Sequence, residues 1–262
     1  MSGSSKWQDL APRVGSALVL VAVGGWAAWM GGTVFLVLIA ALTGVMIWEL
    51  MRMLAPENGA ARVWMGLLCA AVMAATAYLP AQALLPALLA PVLVGISSVR
   101  NHRGIWLGYA SLVMLGAFGA LSLRATGITW VIWLVAVVAA SDIAGYFAGR
   151  LLGGPKFWPR VSPKKTWSGT VAGWIAAGLV GFLFMANGSA GIGIVVISVI
   201  MAFAGQLGDV AESAVKRRVG VKDASNLIPG HGGFLDRFDA MLGALLLVLI
   251  VQALTDFLPV AG

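Results

Sequence analysis

Six of the ten acidic residues of this 262-residue chain fall between Asp142 and Asp239, interleaved with Lys164, Lys165, Lys216, Arg217, Lys222, Arg237 and His231. Carboxylates hold hard cations and cationic side chains hold phosphates, so acids and bases gathered this way point to Mg2+-dependent polyphosphate chemistry. Asp236 and Asp239 stand three residues apart at the start of a helical stretch and can point the same way. In AGQLGDVAESAVKRR, helical spacing puts Gln206, Asp209, Ser213 and Lys216 on one face.

SDIAGYFAG places Asp142, Tyr146 and Gly149 on one side of a helix, among small residues that allow close helix approach. Tyr146 fits a plain packing role equally well. In SPKKT, Ser162 reads as an N-cap and Pro163 as the first helical residue, which puts Lys164 and Lys165 in a first helical turn. Positive charge there opposes the helix dipole and makes sense if an anion shares the site; membrane topology alone is the alternative. PG and HGG around His231 give a tight turn whose backbone can approach a ligand. His231 suits a phosphate donor or an acid/base group, although a histidine in a glycine loop is more often structural. The absence of GxxxxGK[ST] argues against a P-loop nucleotidase.

These residues ride on an unusually apolar chain: 60% of it is hydrophobic, 10% is charged, and the mean hydropathy is +0.95. Water-soluble domains carry about a quarter charged residues, so the composition predicts an integral membrane protein. Runs long enough to cross a hydrocarbon core about 30 Å thick recur throughout. They predict an all-α, polytopic helical bundle with about nine transmembrane spans, near 14–30, 33–54, 62–79, 82–98, 104–122, 127–149, 168–186, 190–216 and 239–258. Residues 1–126 then hold spans one to five and 127–262 the catalytic region, within one membrane domain.

On this map sixteen of the seventeen Lys and Arg residues fall on one side, with Arg124 the exception. Positive-inside bias therefore puts the amino terminus in the cytoplasm and the acidic residues Asp142 to Asp239 at or near the cytoplasmic face. The net charge of +7 is accounted for by topology, which argues against nucleic-acid binding. MSGSSKWQDLAPR lacks a cleavable signal architecture and is expected to be a short cytoplasmic tail. Trp7, Trp48 and Trp130 near span ends are expected to be interfacial anchors. Cys69, the lone cysteine, excludes an intramolecular disulfide.

SAVKRRVGVKDASNLIPGHGGFLDRFD, Ser213 to Asp239, resembles the signature of the phosphatidate cytidylyltransferases. Its fixed positions are filled by Ser213, Lys216, Arg217, Lys222, Asp223, Ser225, Pro229, His231, Gly232, Gly233, Asp236, Arg237 and Asp239. SDIAGYFAGR and SPKKTW agree with the same family, and Ser168 departs from it where the family commonly has Glu. The resemblance covers the chain from about residue 127 onward, and earlier spans match only as generic helices.

The resemblance implies cytidylyl transfer from CTP to phosphatidate, giving CDP-diacylglycerol and pyrophosphate. It further implies Mg2+, with a second cation left open, and a homodimer. The spans and the one-sided basic residues predict a multi-pass protein of the cell membrane, the inner membrane in a Gram-negative host, whose site faces the cytoplasm. Asp209, Asp236 and Asp239 are the expected metal ligands, with Asp142 and Asp223 orienting substrate. Ser213 and Tyr146 fall within the expected substrate site. Lys164, Lys165, Lys216, Arg217, Lys222 and Arg237 would neutralise the triphosphate and lipid phosphate, and His231 would donate to phosphate. A nucleotidyl- or phosphotransferase acting on another membrane lipid is the nearest rival. An ion-coupled transporter is the rival from a different class, since intramembrane carboxylates also mark ion paths.

Overall fold

The computed structural model describes residues 10–255. Among them are nine helices: α1 (Leu10–Met30), α2 (Gly32–Leu54), α3 (Gly59–Ala75), α4 (Ala81–Gly95), α5 (Arg103–Thr126), α6 (Ile128–Leu151), α7 (Trp167–Ala186), α8 (Gly193–Val219) and α9 (Leu235–Leu254). Counting the 3-10 turns that prolong α3 and α4, eight segments are long and apolar enough to cross a membrane. The described apolar stretch of α1, Val14–Met30, is shorter. The protein is thus an all-α, multi-pass membrane protein, and its helices follow the expected spans to within a few residues at most ends. The expected amino-terminal tail, with Lys6 and Trp7, lies outside the described residues.

Between α6 and α7 the structure corrects an expectation. Ser162–Thr166 is not the start of a helix but a strand, β2, paired antiparallel with β1 (Lys156–Trp158), with Lys156 opposite Thr166. Gly153 and Gly154 adopt positive φ and lead into this hairpin, a conformation costly for residues with a Cβ. The helix begins at Trp167, where Thr166 is the N-cap and accepts from the Gly169 amide at 3.2 Å. Lys164 and Lys165 therefore extend from a strand, and the helix-dipole argument for an anion there does not apply.

Two compact units make up the chain, one running to Leu121 and including Arg218–Phe238, the other formed by Ser122–Arg217 and Asp239 onward. In the first, α2 crosses α3 where Gly44 and Gly66 meet, and a Cβ built on Gly44 would lie 2.9 Å from the Gly66 carbonyl oxygen. Small residues let the two backbones touch, which is how helices gain packing energy when lipid competes equally well for apolar surface. Met51, Met65, Trp106 and Met114 fill this unit's core, and the Trp106 indole donates to the Val92 carbonyl at 2.8 Å.

In the second unit α6 runs along α7 through an equivalent crossing at Gly145 and Gly169. Here a Cβ on Gly169 would lie 2.5 Å from the Gly145 carbonyl oxygen. Gly169→Ala is accordingly expected to lower stability by about 1–3 kcal/mol, as overpacking does, seen as a lower unfolding midpoint in detergent; an unchanged midpoint would mean the crossing relaxes freely. Trp130, at the start of α6, is buried against protein and meets Trp133 edge-on, while the Trp133 indole donates to Ser198 Oγ at 2.9 Å. The Ser198 hydroxyl gives the buried Trp133 indole N–H the acceptor it needs.

Candidate functional site

Within the second unit, α6, β2, α7 and α8 enclose a cavity of about 420 Å³. Asp142, Tyr146 and Arg150 enter from successive turns of α6, Lys164 and Lys165 from β2, and Gln206 and Asp209 from α8. Lys165 Nζ lies 2.5 Å from Asp209 Oδ2 and donates to the Gln206 carbonyl at 3.4 Å. Ser213, one turn beyond Asp209, donates to Asp209 Oδ1 at 3.3 Å, as the one-face stripe on α8 predicts. Arg150 donates to the Tyr146 hydroxyl at 2.8 Å. Tyr146 is 59% exposed, so a role as a core packing residue does not describe it.

Gln206 fixes the walls. Its amide nitrogen donates to Ser141 Oγ at 3.4 Å and to the Thr170 carbonyl at 3.3 Å, and its oxygen accepts from the Trp174 indole at 3.0 Å. One buried amide thereby ties α8 to α6 and α7 through three hydrogen bonds, which favours a single arrangement of the three helices.

Asp239 belongs to this unit too. Its backbone packs against Gly208, where no Cβ would fit, and its Oδ1 accepts from the Ala240 amide at 2.8 Å. Its charged neighbours include Asp209, Lys216 and Asp142. Lys216 also forms an ion pair with Glu212, one turn earlier on α8. Glu212 is 1% exposed and was not singled out from the sequence, although an acid inside an apolar helix is a signal in itself.

The other expected residues lie in the first unit, on the segment Arg218–Phe238 and the start of α9. Lys222 and Asp223 are exposed there, as is Arg237, whose Nε donates to the His231 carbonyl at 3.1 Å. Asp236 Oδ2 accepts from two backbone amides, Ala224 at 2.9 Å and Gly233 at 2.8 Å. His231 Nδ1 and Ser16 Oγ on α1 are 2.7 Å apart, and the His231 amide donates to the Ile228 carbonyl at 2.9 Å. Arg217, in the last turn of α8, belongs to the second unit and is exposed.

Two buried acids escaped the sequence pattern, Glu212 and, in the first unit, Glu49 on α2. Ser168, the departure from the family pattern, donates to the Gly153 carbonyl at 2.5 Å and lies 3.0 Å from Thr166 Oγ1. Its short side chain ties the hairpin to the start of α7 instead of supplying a carboxylate.

Among the described residues, no three His, Cys, Asp or Glu side chains form a group that could hold a metal by themselves. Mg2+ commonly takes one or two carboxylates from a protein and completes its octahedron with phosphates and water. The neighbouring carboxylates Asp209 and Asp239 meet that smaller requirement.

Comparison with known proteins gives one consistent result. The model of the cytidylyltransferase family matches residues 11–255. A phosphatidate cytidylyltransferase of Brucella suis is 35% identical over 258 residues, covering 94% of each chain. One from Pseudomonas aeruginosa is 35% identical over 258 residues, 90% of this chain and 94% of that protein. A Bacillus subtilis phosphatidate cytidylyltransferase is 40% identical over 119 residues, 44% of each chain.

Proposed function

The chain belongs to the cytidylyltransferase family, and from that premise we propose that it transfers the cytidylyl group of CTP to phosphatidate, releasing pyrophosphate and forming CDP-diacylglycerol. The observation that carries this is the cavity where Lys165 meets Asp209 beside Asp142, with Asp239 and Lys216 adjoining. Carboxylates and ammonium groups set into the ends of apolar spans suit a lipid phosphate and a nucleotide triphosphate meeting at headgroup depth.

In this reaction a phosphate oxygen of phosphatidate forms a bond to the α-phosphorus of CTP. The bond from that phosphorus to the bridging oxygen breaks, and pyrophosphate leaves with its electron pair. The attacking oxygen is already anionic near neutral pH, so no strong general base is needed. Lys165 and Lys164 neutralise phosphate oxygens, and Lys216 and Arg217 extend that positive edge along α8. On the segment after α8, Lys222 binds phosphate, His231 donates to it and Asp223 orients substrate, while Arg237 in the first turn of α9 also binds phosphate. Asp142 and Tyr146 line the substrate cavity, and Ser213 holds Asp209. Asp209 and Asp239 would hold Mg2+; for Asp236 a ligand role rests on the family pattern alone, and its Oδ2 takes two backbone amides. When bound, Mg2+ would screen phosphate charge as it accumulates on the leaving pyrophosphate.

The concentration of basic residues on one side supports a site facing the cytoplasm of the cell membrane, or of the inner membrane where the host has two. A homodimer rests on the family resemblance. Purified protein in detergent, given CTP and phosphatidate, is expected to release pyrophosphate and CDP-lipid in equal amounts. EDTA should stop the reaction and excess Mg2+ restore it. Transfer to a different lipid phosphate but not to phosphatidate would overturn the assignment of acceptor.

A further inference from the structure

We propose that Glu49 is a positioning residue for the reaction, fixing from inside α2 the glycine loop that presents Asp223, His231 and Asp236. The inference rests on the proposed reaction for its kinetic consequence, but its geometry stands alone. Glu49 is fully buried, and its carboxylate reaches three donors across at least 176 residues of sequence. Oε1 accepts from Ser225 Oγ at 2.5 Å and from the Phe234 amide at 2.9 Å, while Oε2 accepts from the Leu235 amide at 2.8 Å.

Phe234 immediately precedes α9 and Leu235 begins it, where amide groups lack acceptors within their own helix and the helix dipole favours negative charge. Glu49 thus acts as an N-cap supplied by another helix. Asp236 works beside it: its Oδ2 binds the amides of Ala224 and Gly233. Two carboxylates therefore clamp the two strands of the loop at its base, Ala224–Ser225 on one side and Gly233–Leu235 on the other. The tip is closed by the Ile228 amide donating to the Gly232 carbonyl at 2.8 Å.

This arrangement gives a role to Ser225 and Gly233, which belong to the signature but carry no chemistry of their own. Ser225 bridges Glu49 and the Leu227 amide, its Oγ accepting from the latter at 3.2 Å. At Gly233 a Cβ would lie 2.5 Å from Glu49 Oε1 and 2.9 Å from Ser225 Oγ, so only glycine leaves room for the carboxylate. A buried carboxylate whose three donors all come from one loop is a costly feature that an apolar side chain would avoid if α2 needed packing alone.

The test compares wild type, Glu49→Gln and Ser225→Ala by hydrogen exchange in detergent, by unfolding midpoint, and by kcat with CTP and phosphatidate. Gln keeps the size but brings an NH2 group towards backbone donors and removes the negative charge. Folded Glu49→Gln is expected to show faster exchange confined to residues 223–236, with kcat lower by about 10- to 100-fold, the range for residues that orient others. Ser225→Ala removes one of the three contacts and should show the same local signature with a smaller loss. Wild-type kcat per folded molecule, or a kcat loss without faster exchange in that segment, overturns the proposal. Should Glu49→Gln fail to fold, wild-type exchange and kcat in Ser225→Ala overturn it equally. Exchange is read without substrate, so a wild-type protein inactive on phosphatidate would count against the proposed reaction and not against the clamp.

Discussion

Asp239→Asn is expected to lower turnover by on the order of 10³-fold or more, the loss typical of groups that organise developing charge, while the protein stays inserted and folded. The fold should survive because the side chain carries little of it. Its Oδ1 accepts from the Ala240 amide at 2.8 Å, a bond that an Asn oxygen also makes. The contact that seats α9 on α8 at this point is between the Asp239 backbone and Gly208, and the substitution leaves it untouched. What disappears is one negative charge among Asp209 and Asp142, with Lys216 nearby. Like charges held together destabilise a fold unless a cation joins them, so the unfolding midpoint should stay level or rise. Turnover and midpoint moving in opposite directions is the signature of a group kept for chemistry. Wild-type turnover would remove Asp239 from the machinery, and a large fall in midpoint would make it structural.

The spans were legible because length and apolarity are dictated by the bilayer itself, which leaves few alternatives for a run of twenty apolar residues. Short-range signals were less dependable where tertiary pairing competed with them. Ser162 followed by Pro163 satisfies every local rule for a helix start, yet strand pairing with Lys156–Trp158 and a Thr166 cap move that start to Trp167. Asp142 and Asp209 were legible because polar residues in apolar helices stand out, and the structure brings them to one cavity with Lys165 from β2. Glu49 was not, since its partners Ser225, Phe234 and Leu235 are far away in sequence and two of them contribute only backbone amides. The edge-on contact of Trp130 with Trp133 is likewise one that no linear pattern contains.

Lys165→Gln is expected to reduce kcat/KM for CTP by about 10²- to 10³-fold, the cost of losing one preorganised charge-stabilising donor, with a smaller loss, on the order of 10-fold, in Lys164→Gln. The two lysines are adjacent on β2 but differently held. Lys165 Nζ sits 2.5 Å from Asp209 Oδ2 and reaches the Gln206 carbonyl, whereas Lys164 is exposed. A lysine already directed at the carboxylates needs little reordering when phosphates arrive, and that preorganisation is what the exposed neighbour lacks. Stability should hardly register the change, because the pair remains partly open to solvent, with side-chain exposures of 23% and 32%, and such pairs contribute only about 0–1 kcal/mol. Salt provides an independent check. Rising ionic strength should raise the KM for CTP in the wild type, and the slope should flatten in Lys165→Gln because one screened attraction has been removed. Equal losses in the two variants, with unchanged salt slopes, would move the phosphate charge away from this strand and leave Lys165 as a structural partner of Asp209.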